Sequence, residues 1–218
     1  MPRWPGVRLL AVTLAVGLGW AGCSRAPHST TGEAPFVSTA PTIARPADLR
    51  LVLFDQLPAS YVEQRFGAGG DGPLDLAGAA RLQNSHSAVG QTFLQQYAFQ
   101  RGYQRVWELN GVDKLLVLRV LLMGSPQQAA AYFNVVTFGD NASVGITKFP
   151  TPGLAHASGF TLSYASALGP RVEHFVDLVR GPLFFHLSAI GPAGSVGPGD
   201  ILGIARSQGA EASSMGYA

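Results

Sequence analysis

Two apolar runs, Tyr103 to Leu109 and Asp113 to Met123, meet at Asn110-Gly111. Both central positions of a type I′ turn need φ > 0, which Asn and Gly adopt at least cost, so this dipeptide marks a tight β-hairpin. The first arm alternates, placing Tyr103, Arg105, Trp107 and Leu109 on one face. The second is almost continuous in Leu and Val, the pattern of a central strand covered on both sides. Arg119 interrupts it. A charge there either points to the solvent face or is paired inside a pocket, and the solvent face is the expectation.

The rest of the chain arranges itself around this hairpin. Asp48 to Phe54 is a short apolar piece that Pro46 is able to open as a helix, and Tyr61 to Phe66 reads as a strand. Gly67 to Pro73 reads as a flexible Gly-rich loop, because it lacks the Lys-Ser/Thr that a phosphate-binding loop needs after its last glycine. Helices are expected over Leu74 to Gln83 and Val89 to Phe99, the second carrying Phe93, Leu94 and Tyr97 on one stripe and ended by Gly102. Ser125-Pro126-Gln127-Gln128 is a helix start: Ser125 caps, Pro126 loses no needed N–H, and Gln128 completes a capping box. Ala129, Tyr132, Phe133 and Val136 then form the inward face.

Beyond this helix the pattern shortens to strands at Gly145 to Phe149, Gly159 to Ala165, Arg171 to Val179 and Leu183 to Ile190. The last two are joined at Arg180-Gly181-Pro182. Asp200 to Gln208 is expected as a closing helix with Asp200 at its N-cap and Ile201, Ile204 and Ala205 inward. The tail after Gly209 is expected to fray. Runs of antiparallel strands with segregated helices specify an α+β domain, an antiparallel sheet of five or six strands covered by helices. No glycine-rich turn links a strand to a following helix, which excludes a Rossmann arrangement.

Targeting is read from the N-terminus. Arg3 and Arg8 precede an apolar run from Leu9 to Trp20, followed by the small residues Ala21 and Gly22. That is the layout of a secretory signal, too short for the roughly 20 apolar residues that span a bilayer. Next comes Cys23, the single cysteine of the chain. A thioether to diacylglycerol requires a sulfur nucleophile at this position. The tetrad Trp20-Ala21-Gly22-Cys23 resembles the lipobox of bacterial lipoproteins, with Trp20 standing where the family usually has an aliphatic residue. The resemblance implies cleavage before Cys23 and a palmitate-type lipid anchor on the extracytoplasmic face of the cell membrane. The expected layout is a signal peptide over 1–22, lipidated Cys23 with a flexible tether over 23–45, a globular domain over 46–209 and a disordered tail over 210–218. The tether is rich in Ser, Thr, Pro, Ala and Gly.

Composition narrows the function classes. The formal charge is +2, part of it on the signal arginines, and only 13% of residues are charged. A nucleic-acid partner would need a concentrated basic face, so none is expected. With its one cysteine lipidated, the domain has no disulfide, and a hydrophobic core alone must hold it. The hairpin followed by Ser-Pro-Gln-Gln-Ala-Ala-Ala-Tyr-Phe (125–133) resembles a segment of secreted lipoproteins of high-GC Gram-positive bacteria. Some of those domains have a fold similar to the extrinsic photosystem protein PsbP. Those motifs are structural and imply no catalytic residue.

A search for chemistry yields little. Of the histidines His28, His86, His156, His174 and His186, only His174 and His186 share a hairpin. A two-residue turn at Gly181-Pro182 sets His186 opposite Asp177, and a three-residue turn sets it opposite Val176. The first register is an orientation suited to a general base; an inert hairpin pair is the expectation. Glu173 and Asp177 share a strand face about 13 Å apart along the strand, too far for one metal or a coupled pair. No His-Glu-x-x-His or paired cysteine offers a metal site. Around Ser195 the Gly-x-Ser-x-Gly elbow is broken by Ala193, so the segment reads as a Gly/Pro loop. The expected function is therefore non-enzymatic: a membrane-anchored envelope domain that binds a lipid, a hydrophobic small molecule in an aromatic-lined cavity, or an envelope protein, with no cofactor. A cell-envelope hydrolase using a hairpin histidine is the alternative.

Overall fold

The computed structural model describes residues 48–53, 57, 61–63, 71–83, 87–109 and 113–217. After a 3₁₀ turn at Leu49–Val52, the elements run in chain order: β1 (Tyr61–Glu63), β2 (Gly72–Leu74), α1 (Leu76–Gln83), α2 (Ser87–Gln96), β3 (Arg101–Leu109), β4 (Leu115–Leu122), α3 (Pro126–Ala142), β5 (Ile146–Phe149), β6 (Ala157–Ser166), β7 (Gly169–Arg180), β8 (Leu183–Pro192) and α4 (Pro198–Ser214). The α+β class stands. The sheet has eight strands, in the order β1-β3-β4-β8-β7-β6-β5, with β2 also pairing with β3. The count exceeds five or six because β1 and β2 share one edge of β3, at Trp107–Leu109 and Gly102–Gln104. β2 takes Gly72 and Pro73 from the stretch expected to be a loop and Leu74 from the expected helix, which starts at Leu76. The signal peptide, Cys23, the tether, His28, His86 and Asn110-Gly111 lie outside the described residues.

Every paired neighbour is antiparallel. β3 and β4 pair as the two expected arms, from Arg101 opposite Leu122 to Glu108 opposite Leu115, but not in the register of a two-residue turn at Asn110-Gly111. That turn would set Leu109 opposite Val112, whereas the Leu109 N–H donates to the Lys114 carbonyl. From β4 the chain crosses the sheet through α3 to the far edge, then returns as the meander β5 to β8, whose last strand closes against β4. The helices lie on both faces. Leu116, Leu118, Val120 and Leu122 of β4 and Leu183, Phe185 and Leu187 of β8 pack with Ile201, Ala205 and Ala212 of α4. On the opposite face, Leu121, Val179 and Phe184 pack with Ala79, Ala80, Leu94, Ala129 and Tyr132 of α1 to α3.

Three local expectations are corrected. Gly102 does not end α2; Ala98, at φ 49°, turns the chain out of that helix. Gly102 sits inside β3, where a Cβ would come within 2.9 Å of the Val120 carbonyl oxygen. Asp200 is not the N-cap of α4: Gly197 is, and the Asp200 carboxylate reaches back to accept the Gly197 N–H at 2.8 Å. The tail over 210–218 does not fray at Gly209. α4 runs to Ser214, with Ala212 and Tyr217 buried, and Gln208 Nε2 donates to the Val52 carbonyl at 2.6 Å. The small residues read as a tail are what let the helix lie close on the sheet. Ser125 caps α3 as expected, its Oγ accepting the Gln128 N–H at 3.2 Å, but among the described residues the Gln128 side chain does not return a bond to complete the capping box.

Candidate functional site

The two-residue turn at Gly181-Pro182 is the one that forms, so His186 stands opposite Asp177. Following this register across the sheet gives a continuous line: Gln104 opposite Arg119, Arg119 opposite His186, His186 opposite Asp177, Asp177 opposite Ser158. Five adjacent strands thus each contribute a polar side chain at one level of the sheet. Because side chains alternate, this line lies on the same face as Leu121, Val179 and Phe184, two residues along their strands, and so beneath α1 to α3. Arg119 is therefore not on a solvent face. The near-continuous Leu/Val run around it reflects burial on both sides, and alternation turns Arg119 under the helices.

Four of the five members are joined in pairs. Arg119 donates from Nε and Nη2 to Gln104 Oε1 at 3.1 and 2.9 Å. His186 Nδ1 meets Asp177 Oδ1 at 2.8 Å. On the other side of the ring, Nε2 lies 3.9 Å from Glu173 Oε1. Glu173 and Asp177 stand four residues apart on β7, yet both reach this one ring. The long Glu173 side chain closes the gap, and the two carboxylates take opposite edges of one imidazole. Phe175, between them on the strand, packs on the His186 ring with centroids 5.2 Å apart and on Phe160 at 5.3 Å. Asp177 is fully buried, whereas the His186 and Glu173 side chains keep 22% and 18% exposure, so solutes reach the line at this point.

From above, α3 adds Tyr132 and Asp140. Tyr132 is buried against Phe184, and its hydroxyl accepts from Gln83 Nε2. Burial, and then the nearby Asp177, push its phenol pKa up. Burial likewise lowers the Arg119 guanidinium, against the pull of Tyr132, Glu173 and Asp177. Asp140 is the most perturbed acid: burial first, and then Asp177, push its pKa up to about 7 from 3.8, with His186 acting in the opposite sense. Perturbed groups gathered on one partly open surface mark a functional site more often than a random patch does. Asp140 escaped the sequence reading, although it continues the stripe of Ala129, Tyr132, Phe133 and Val136 by one helical step.

The other candidates do not join this cluster. His174 lies on the opposite face, where Nδ1 meets Thr161 Oγ1 at 2.8 Å and Nε2 meets the Val196 carbonyl at 3.3 Å. It pins the loop before α4. His156 is exposed in a loop at φ 52°. Ser195 Oγ is buried and has no hydrogen-bond partner among the described residues, so none of the described histidines activates it. Among the described residues no group of three or more His, Cys, Asp or Glu is arranged to hold a metal. A cleft beside Tyr61, Lys114 and Asp200 has room for about 40 Å³. That is far below the several hundred Å³ of a small-molecule pocket.

No family model matches the chain, and no curated protein matches it. Among solved structures it is similar to the extracellular domain of PknH from Mycobacterium tuberculosis, with a TM-score of 0.43 and 8% identity over 74% of this chain and 94% of that one. Among the described residues no helix is long and apolar enough to cross a membrane.

Proposed function

We propose that this chain is a lipoprotein of the cell envelope, held on the extracytoplasmic face by lipid on Cys23, whose domain is a non-enzymatic module that binds its ligand or partner protein at the His186 site. The anchoring half of this reading rests on the signal-like N-terminus and the lone cysteine after Ala21-Gly22. Growth with labelled palmitate is expected to label the wild-type chain and leave Cys23→Ser unlabelled; equal labelling of both would remove the anchor.

The binding half rests on one observation, the polar line Gln104–Arg119–His186–Asp177–Ser158 laid across a face that is otherwise core. Desolvating that many polar groups costs stability that an apolar line would not. A surface that carries such a cost and stays open at His186 and Glu173 is suited to recognition. It favours a partner able to hydrogen bond over a purely apolar lipid. The test is native mass spectrometry of the full chain purified gently from its own host, beside His186→Ala. A retained mass on the wild type that is lost from the variant supports the site. A retained mass on both places the ligand elsewhere, and an apo mass on both removes the small-ligand form. Crosslinking in the envelope then decides the protein-partner form in the same way, through a product that depends on His186.

The 2.8 Å contact of His186 Nδ1 with Asp177 favours a second reading, a hydrolase in which His186 is a general base oriented by that carboxylate. Against it, Glu173 stands in front of Nε2, the nitrogen that would take the proton. Hydrolysis of envelope esters or peptides by the wild type that His186→Ala abolishes would establish this reading.

A further inference from the structure

α3 is attached unevenly along its length. Its first half is capped by Ser125 and carries the fully buried Ala129 and Tyr132. After Tyr132 no residue of the helix is fully buried, and Val135 and Phe138 are 45% and 67% exposed. The inward stripe continues at Phe133 and Val136 and ends at Asp140, where an apolar anchor would otherwise stand. Asp140 meets the carboxylate of Asp177 on β7. Asp177 Oδ1 is taken by His186, while Oδ2 is buried and receives no hydrogen bond among the described residues. Two carboxylates cannot both be ionised at such a contact without strong repulsion, and a proton on Asp140 is the donor that Oδ2 lacks.

We propose that a proton held between Asp140 and Asp177 clasps the C-terminal half of α3 onto the sheet, and that its loss loosens the helix above the His186 line. The inference is independent of what binds there. The groups facing Asp140 are Asp177 and Glu173 of β7, which favour its protonation, and His186 of β8, which opposes it. Tyr132 of α3 lies in the same cluster, Arg119 of β4 acts on Asp177 and Glu173 and gives its Nε and Nη2 to Gln104, and Lys148 of β5 stays in solvent. The helix adds to the effect, since its C-terminal carbonyls disfavour a negative charge in the last turn. The folded pKa, about 7, lies above the ordinary 3.8. Its contribution to stability is therefore full below the ordinary value and is lost as pH rises through about 7. The clasp is closed in acid and opens just above neutrality.

The test uses the full chain and Asp140→Asn, whose amide donates permanently to Asp177. Melting temperatures at pH 5.5 and 8.5 are compared, and the Asp140 side-chain carboxyl is titrated by ¹³C NMR in the wild type. The expected result is a titration midpoint near 7. Over the same interval the wild-type melting temperature falls by roughly 5 °C more than that of the variant. A midpoint near 4, or parallel melting curves for the two proteins, overturns the clasp. Should Asp140→Asn fail to fold, the carboxyl midpoint alone decides.

Discussion

The two faces of the central strands are written by alternate residues of the same segments, yet they are built on opposite principles. On the α4 face, β4 presents Leu116, Leu118, Val120 and Leu122, and β8 presents Leu183, Phe185, Leu187 and Ala189, all buried. On the α3 face the same strands interleave Leu121 and Phe184 with Arg119 and His186, met by Asp177 from β7 and Asp140 from α3. The first face is held mainly by burial, each large side chain contributing about 1.5–3 kcal/mol on leaving water. The second gives up part of that return to bring ionisable groups together where solvent still reaches them. On the function proposed above, the first face secures the fold and the second serves recognition.

That comparison breaks most sharply on the apolar face. Phe185→Ala, at a fully buried position, is expected to cost about 3–5 kcal/mol in urea unfolding, through lost transfer energy and the cavity left behind. A loss below about 1 kcal/mol would mean that the α4 face does not carry the fold. Removing one member of the polar line is expected to cost less. Asp177→Ala leaves His186 without its Nδ1 partner and should lose about 2–3 kcal/mol, much of it recovered when His186→Phe is added. Strict additivity of the two changes would show that the pair is not coupled. Smallest is Ser125→Ala, which removes the cap of α3 and is expected to cost about 1 kcal/mol, with amide exchange accelerated at the first turn of that helix.

How far these two faces were legible in the sequence follows from the same alternation. The cap at Ser125 and the stripe from Ala129 to Val136 rest on short-range patterns and form as expected, while β3 and β4 pair two residues away from the register that a two-residue turn at Asn110-Gly111 specifies. The face that Arg119 takes is not legible, because β4 is apolar at almost every position and periodicity does not tell its two faces apart. His186 and Asp177 were legible only as one of two registers, since a single residue of turn length decides which side chains meet. Asp140 went unseen because an acid beyond Val136 reads as the polar end of a helix, and only the sheet beneath it shows otherwise. In α4 the Ala, Gly and Ser residues past Gln208 look like a tail by composition, but Ala212 and Tyr217 extend the contact to the chain's far end.

The central claim is that the polar line is kept for recognition and not for stability. The sharpest test replaces four members of the line together with Asp140 above it: Gln104→Leu, Arg119→Met, Asp140→Leu, Asp177→Leu and His186→Phe in one chain, with unfolding followed in urea. Exchanging a whole buried ionic cluster for apolar residues of similar volume is neutral or stabilising where the cluster serves something other than the fold. The expected unfolding free energy is equal to or above that of the wild type. A loss of several kcal/mol, or failure to fold, would contradict it and make the line a structural element of the sheet.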